Sequence, residues 1–159
     1  MRIGVISDSH DRLPTLAAAI DLLVARGIDI LIHPGDVVAP FAARLLARFP
    51  GQLHITYGNN DGERRGLREV LPQIQDGPLW LDLAGRRILV HHFIDWCAPA
   101  DVARADVVIT GHTHAVAVER RGHQLLVNPG ECCGWLTGRC TMAEVDLDTL
   151  TAQVIEVPA

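Results

Sequence analysis

Apolar positions along this chain follow two spacings that take turns. Ile3 to Ser7 is a short apolar run ending in a polar turn, the pattern of a strand buried on both faces. Leu16, Ile20, Leu23 and Val24 then recur at helical spacing; Pro14 suits a first helical turn and Gly27 ends the helix. The alternation repeats. Asp29 to His33 reads as a strand stopped by Pro34-Gly35, Pro40 to Phe49 as a helix stopped by Pro50-Gly51, and Leu53 to Tyr57 as a third strand. Strand-helix-strand units of this kind build a right-handed parallel sheet.

Beyond residue 78 the pattern turns mainly to β. Trp80 to Leu83 and Arg86 to His91 flank Ala84-Gly85, a hairpin signal. Val107 to Thr110 is another strand. Val116 to Arg120 and Gln124 to Asn128 form a hairpin about Arg121-Gly122-His123, and Thr141 to Val145 and Thr151 to Val157 another about Asp146-Leu147-Asp148. Arg65 to Leu71 and Ala100 to Arg104 read as short helices. Two β layers with helices outside them would bury these strands.

Composition adds bounds to this picture. The 159 residues, without repeat or linker, suit one domain over 1–159; 48% are apolar and 21% charged, a globular balance. A net charge of -5 argues against a nucleic-acid footprint. The short run Arg64, Arg65 and Arg68 reads as a solvated face, with a phosphate contact as the sharper alternative. No apolar run approaches the ~20 residues of a membrane span, and a strand begins at residue 2, so neither anchor nor signal peptide is expected. Cys97, Cys132, Cys133 and Cys140 lack paired CxxC spacing, and the adjacent pair is awkward for a mutual disulfide. A reduced, cytoplasmic protein is expected, with Cys132 and Cys133 as small buried residues beside a glycine turn. A homo-oligomer stays open; exposure of Trp80, Trp96 or Trp135 would mark an interface.

The candidate chemistry gathers at strand ends. Asp8-Ser9-His10, Gly35-Asp36, Gly58-Asn59-Asn60-Asp61, His91-His92 and Gly111-His112-Thr113-His114 each follow a strand, and the carboxyl ends of strands are where open α/β sheets bind ligands. Singly most of these segments are weak, since Asp8 could cap a helix and the Asn-Gly run could be a turn; Gly111-His112-Thr113-His114 is more specific, because alternation puts both imidazoles on one side. Together they bring Asp, His and Asn to one rim. Such donors suit Mn, Fe, Zn, Ni or Co better than Ca, and Asp8, His10, Asp36, Asn59, His91, His112 and His114 are too many for one tetrahedral ion. They suit two ions sharing a carboxylate, with Asp36 the natural bridge, about 3.5–4 Å apart across a phosphoryl group.

These segments, with His33-Pro34, Tyr57-Gly58, Leu89-Val90 and Asn128-Pro129-Gly130-Glu131, resemble those of the calcineurin-like metallophosphoesterases. Within that superfamily the chain is similar to the small phosphodiesterase group of YfcE and Vps29. The resemblance spans nearly the whole chain. It implies a four-layer α/β/β/α sandwich, and two divalent transition metals, Mn first among Mn, Ni, Fe, Zn and Co. One would take Asp8, His10, Asp36 and His114; the other Asp36, Asn59, His91 and His112. A bridging hydroxide would attack the phosphorus of a small phosphodiester, with Asp36, Asn59 and Asn60 as catalytic residues. A phosphomonoesterase and a non-catalytic scaffold of the Vps29 kind are the alternatives; the complete ligand set favours an enzyme.

Two positions depart from the family pattern. Related phosphatases carry a histidine where this chain has Asn60, whose amide can donate a hydrogen bond but not a proton. His92 stands where the family has glycine, which makes it a second candidate ligand beside His91. Asp61 and the buried-strand histidine His33 are expected behind the ligands.

Overall fold

The computed structural model describes residues 1–158, so the last position of the expected 1–159 unit lies outside the described residues. The first half alternates as its pattern requires: β1 (Arg2–Val5), α1 (Leu13–Ala25), β2 (Ile30–His33), α2 (Pro40–Leu46), β3 (Gln52–Ile55) and α3 (Arg64–Val70). Prolines sit in the first turns of α1 and α2, where the missing N–H costs nothing. The second half carries β4 (Leu79–Leu83), β5 (Arg86–Val90), a 3-10 turn (Ile94–Trp96), α4 (Pro99–Arg104), β6 (Val107–Ile109), β7 (Val116–Arg121), β8 (Gln124–Pro129), β9 (Thr141–Asp146) and β10 (Thr151–Glu156).

These strands form two sheets. The first has the order β10-β9-β1-β2-β3, with β1, β2 and β3 parallel and β9 antiparallel to β1. The second has the order β4-β5-β6-β8-β7, with β5, β6 and β8 parallel. The two-residue alternation of side chains then decides the layers. Ile3 and Val5 of β1, Ile30 and Ile32 of β2, Ile88 and Val90 of β5, and Val107 and Ile109 of β6 meet between the sheets. Their neighbours Ile6 and Leu31 face the other way, against Leu16, Ile20 and Leu23 of α1 and Leu46 of α2. On the far side Leu89, Val108 and Leu126 pack with Val102 of α4. The result is the α/β/β/α sandwich, with a well-covered helical layer on the first sheet and a thin one on the second.

Both sheets point their parallel strands' carboxyl ends toward one rim. β1 and β2 run in register, Gly4 opposite Leu31, so the segments after them emerge side by side. β5 and β6 do the same, with Val90 opposite Ile109. No helix among the described residues is long and apolar enough to cross a membrane.

Candidate metal centre

The rim is strained where the chemistry lies. Asp8, His10, Asp36, His112 and His114 all hold positive φ, between 39° and 67°, a region that costs residues with a side chain roughly 1 kcal/mol or more each. Val38 joins them at 84°, unusual for a β-branched residue. Close packing holds these turns. A Cβ on Gly58 would meet the Asp36 carboxylate at 2.2 Å, and one on Gly111 would meet Ser7 Oγ at 1.9 Å and Asp8 at 2.6 Å. Asp61 clamps two loops together by accepting hydrogen bonds from the backbone N–H of Asp36 at 2.9 Å, Val38 at 2.7 Å and Gly58 at 2.7 Å. His33 is fully buried beneath, its ring between Ser9 Oγ and the Gly35 N–H, as expected of a supporting residue.

Two carboxylates form the floor. Asp8 is fully buried and Asp36 is 1% exposed. Ser7 Oγ donates to Asp8 at 2.6 Å, and the backbone N–H of His112 donates to it at 3.1 Å, which ties the second sheet's rim to the first. Imidazoles close over them. His10 Nε2 lies 3.8 Å from Asp8 Oδ1 and 3.4 Å from Asp36 Oδ2; His114 Nε2 lies 3.5 Å from Asp8 Oδ1; His92 Nε2 lies 3.3 Å from Asp36 Oδ2. The Asn59 side-chain oxygen completes the ring, 2.9 Å from His92 Nε2 and 2.8 Å from His112 Nδ1.

The expected Asp8, His10, Asp36, Asn59, His112 and His114 are thus brought together. His91 is not. The structure places its neighbour in the cluster and turns His91 away, against Gly77 and the edge of Trp96, with Nδ1 buried and without a hydrogen-bond partner. The reason is strand parity: adjacent residues at the end of β5 point to opposite sides, and the Pro34 carbonyl, 3.0 Å from His92 Nδ1, holds the second ring toward Asp36. Asn60 spends its hydrogen bonds on Asp36. Its backbone N–H donates to Asp36 Oδ1 at 2.8 Å and its amide to Asp36 Oδ2 at 2.7 Å.

Electrostatics sharpen what this centre is built to hold. Burial opposes ionisation of Asp36, yet the hydrogen bonds from His92 and Asn60 outweigh it and keep the carboxyl well below the usual range. Burial also disfavours charge on His10 and His92, but the carboxylates Asp8 and Asp36 outweigh it and raise both rings. Buried anions without a full cationic partner are costly. Among the described residues the only basic groups within salt-bridge reach of Asp8 and Asp36 are His10, His92 and His114. Two ligand atoms about 2.1 Å from one ion sit roughly 3 Å apart, close to the separations seen here. His10 Nε2 faces two carboxylates without a hydrogen bond, which fits a nitrogen lone pair awaiting a cation. The donor set therefore fits divalent metal.

One participant was not foreseen as such. Glu131, which the sequence marks only as part of a family-like segment, is fully buried and accepts from His114 Nδ1 at 2.7 Å. It also accepts from Thr137 Oγ1 at 2.7 Å, the backbone N–H of Thr137 and of Leu136, the latter at 3.0 Å, and the Cys133 thiol at 3.1 Å. Burial would raise its pKa, but the bonds from His114 and Thr137 dominate and bring it down to about 2. A charged residue inside an otherwise small and apolar turn, Gly130-Glu131-Cys132-Cys133, was the available signal. Burial pushes the Cys133 thiol up, so it donates to Glu131 as an S–H rather than acting as a thiolate.

The chain belongs to the calcineurin-like phosphoesterase superfamily, whose domain model matches residues 1–150. It is 35% identical over 156 residues to a phosphodiesterase of Methanocaldococcus jannaschii, covering 93% of this chain and 94% of that one. Its fold superposes on a solved archaeal phosphodiesterase with a TM-score of 0.86 at 31% identity, covering 99% of this chain and all, 100%, of that one. The E. coli phosphoesterase Yfce gives 0.78 at 20% identity over 99% and 100% of the two chains. Vps29 of Entamoeba histolytica gives 0.71 at 16% identity over 99% and 100%. The last two show the shared fold alone.

Proposed function

We propose that this chain is a metal-dependent phosphodiesterase with two divalent transition metals in adjoining donor sets, Mn foremost. Asp8, His10, Asp36 and His114 form one set; Asp36, Asn59, His92 and His112 form the other. His92 takes the place first given to His91. The observation that carries this reading is the convergence of three imidazole nitrogens on two buried carboxylates at 3.3–3.8 Å, with Asp36 common to both groups. When bound, such a pair of ions supplies hydroxide from water at neutral pH and neutralises phosphoryl oxygens.

The chain's own residues set the rest. Asp36 Oδ2 faces His10 on one side and His92 on the other, so the Asp36 carboxylate would be the ligand common to both ions, while Asn60 fixes the group's orientation. Glu131 holds the His114 ring in the tautomer that leaves Nε2 free as a donor. Asn59 and Asn60 are exposed, so substrate arrives over the amides while the carboxylates stay dry. No proton donor stands at Asn60, which favours diesters whose leaving group departs as a stable anion over demanding monoesters. Cys97, Cys132, Cys133 and Cys140 are all free thiols, which supports a reducing compartment, the cytoplasm.

The test is metal removal. Chelated protein should be inactive on bis(p-nitrophenyl) phosphate and regain hydrolysis with Mn. Failure of Mn, Ni, Co, Zn and Fe alike to restore it would overturn the reading.

A further inference from the structure

The Asn59-His92-His112 side of the centre has an aromatic wall that metal binding does not require. Trp96, on the 3-10 turn, lies 5.6 Å from the His112 ring, 6.0 Å from His92 and 5.7 Å from His91, centroid to centroid. Phe93 packs against His112 at 4.4 Å and meets Trp96 edge-on at 5.8 Å. These contacts fix the indole from several directions, yet it remains 50% exposed. Leaving so large an apolar surface in water is unfavourable, and a core-forming residue would be buried instead. The indole is thus held rigid, half open, and in contact with two of the imidazoles that ring the centre.

We propose that Trp96, backed by Phe93, is a stacking platform for a planar ester arm of the substrate. The inference rests on the phosphodiesterase reading above and narrows its substrate class to diesters carrying an aryl or nucleoside group. A phosphoryl group at the centre leaves its ester arms to run outward over the neighbouring rim. On this side the rim is the indole face. Stacking on a preordered aromatic ring is tolerant of which planar group is offered, because every such ring has a π-face. Among the described residues no cationic side chain caps this indole, in contrast to Trp135, which has Arg12 over its ring at 5.5 Å; this leaves the Trp96 face to a neutral ring.

Two measurements on the full chain test this. With Mn-loaded protein, Trp96→Ala should raise KM for bis(p-nitrophenyl) phosphate on the order of tenfold, more than it lowers kcat, and Trp96→Phe should recover most of that loss. With Zn-loaded protein, the indole N–H resonance of Trp96, assigned by its disappearance in Trp96→Phe, should shift on adding p-nitrophenyl phosphate and stay in place with ethyl phosphate. An active enzyme whose KM is indifferent to Trp96→Ala overturns the platform while leaving the phosphodiesterase reading intact. Equal indole shifts with both esters also overturn it. So does sedimentation showing a dimer that Trp96→Ala dissolves, which would make a second copy the occupant. An inactive wild-type protein whose indole still responds only to the aryl ester would instead fault the catalytic reading and uphold the platform.

Discussion

The two halves of the metal centre are built differently, though they share Asp36. The Asp8-His10-His114 half is anionic and heavily supported. Asp8 is fully buried and receives bonds from Ser7 and from His112 N–H, and His114 is held from behind by the buried carboxylate of Glu131. The Asn59-His92-His112 half has a neutral amide in the place of a second private carboxylate. Its hydrogen-bonded support is a backbone carbonyl, Pro34 O on His92, and its outer side is aromatic and open. On the proposed two-ion reading, charge and support would favour tight, permanent binding in the first half, and neutrality and access would favour substrate exchange in the second. If the proposal holds, one ring of histidines divides into an anchoring site and a working site.

The shared ligand should give the largest effect, because losing it damages both halves. Asp36→Asn should cut turnover by at least about a thousandfold, the several kcal/mol of charge stabilisation that a metal clamp supplies. Elemental analysis of the purified variant should find both ions depleted. Near-normal activity in that variant would remove Asp36 from the centre. Next comes the choice between adjacent histidines. His92→Ala should lose roughly a hundredfold in affinity for the weaker ion while sparing the tighter one, read by isothermal titration. His91→Ala should leave both binding steps in place. The reverse pattern would return His91 to the ligand set.

That choice also shows what the sequence could and could not reveal. The α/β/β/α layering was legible because residues two apart in the strands, such as Ile30 and Ile32 or Val107 and Ile109, are uniformly apolar and stop at turns. The rim was legible because Asp8, Asp36, Asn59 and His112 each follow such a strand. Which of His91 and His92 faces inward was not, because it depends on the last pleat of β5 and on a carbonyl from a distant loop, Pro34. The reach of Asn60 back to Asp36 was hidden for a related reason, since the turn at Gly58 directs it. Glu131 was hidden more deeply. Its partner His114 is 17 residues away, and its own orientation rests on backbone N–H groups from Leu136 and Thr137 that only the folded loop presents. Sheet neighbours such as β9 beside β1 are long-range pairings that local pattern does not encode.

Glu131 gives a finer test of the anchoring half. Glu131→Gln keeps an oxygen to accept from His114 Nδ1 but removes the charge and turns an amide N–H toward the Leu136 and Thr137 N–H donors, so unfolding of the metal-free variant is measured beside its metal affinity. The tighter ion should weaken by about 10- to 100-fold, the usual cost of disturbing a carboxylate behind a metal-bound imidazole. The weaker ion's affinity should hardly move. A change falling equally on both binding steps would contradict the division of labour.

The smallest expected effect separates stability from metal affinity. Glu144 of β9 binds Arg2 at 2.8 Å and Arg26 at 2.7 Å, tying the start of β1 and the end of α1 to β9 at the opposite end of the sheet from Asp8. Burial would raise its pKa, but the two guanidinium groups outweigh that and lower it. A group whose pKa is depressed on folding adds stability above its unfolded pKa and loses it as pH falls through the folded value. Glu144→Gln should therefore cost about 1 kcal/mol at neutral pH, and the gap from the parent protein should close as pH drops below about 4.3. Denaturant unfolding of the metal-free proteins across this range measures it. The same variant should bind both ions as the parent does. If instead the first ion weakened alongside stability, the anchoring half would owe its affinity to the rigidity of the first sheet rather than to the charge of Asp8 and Glu131.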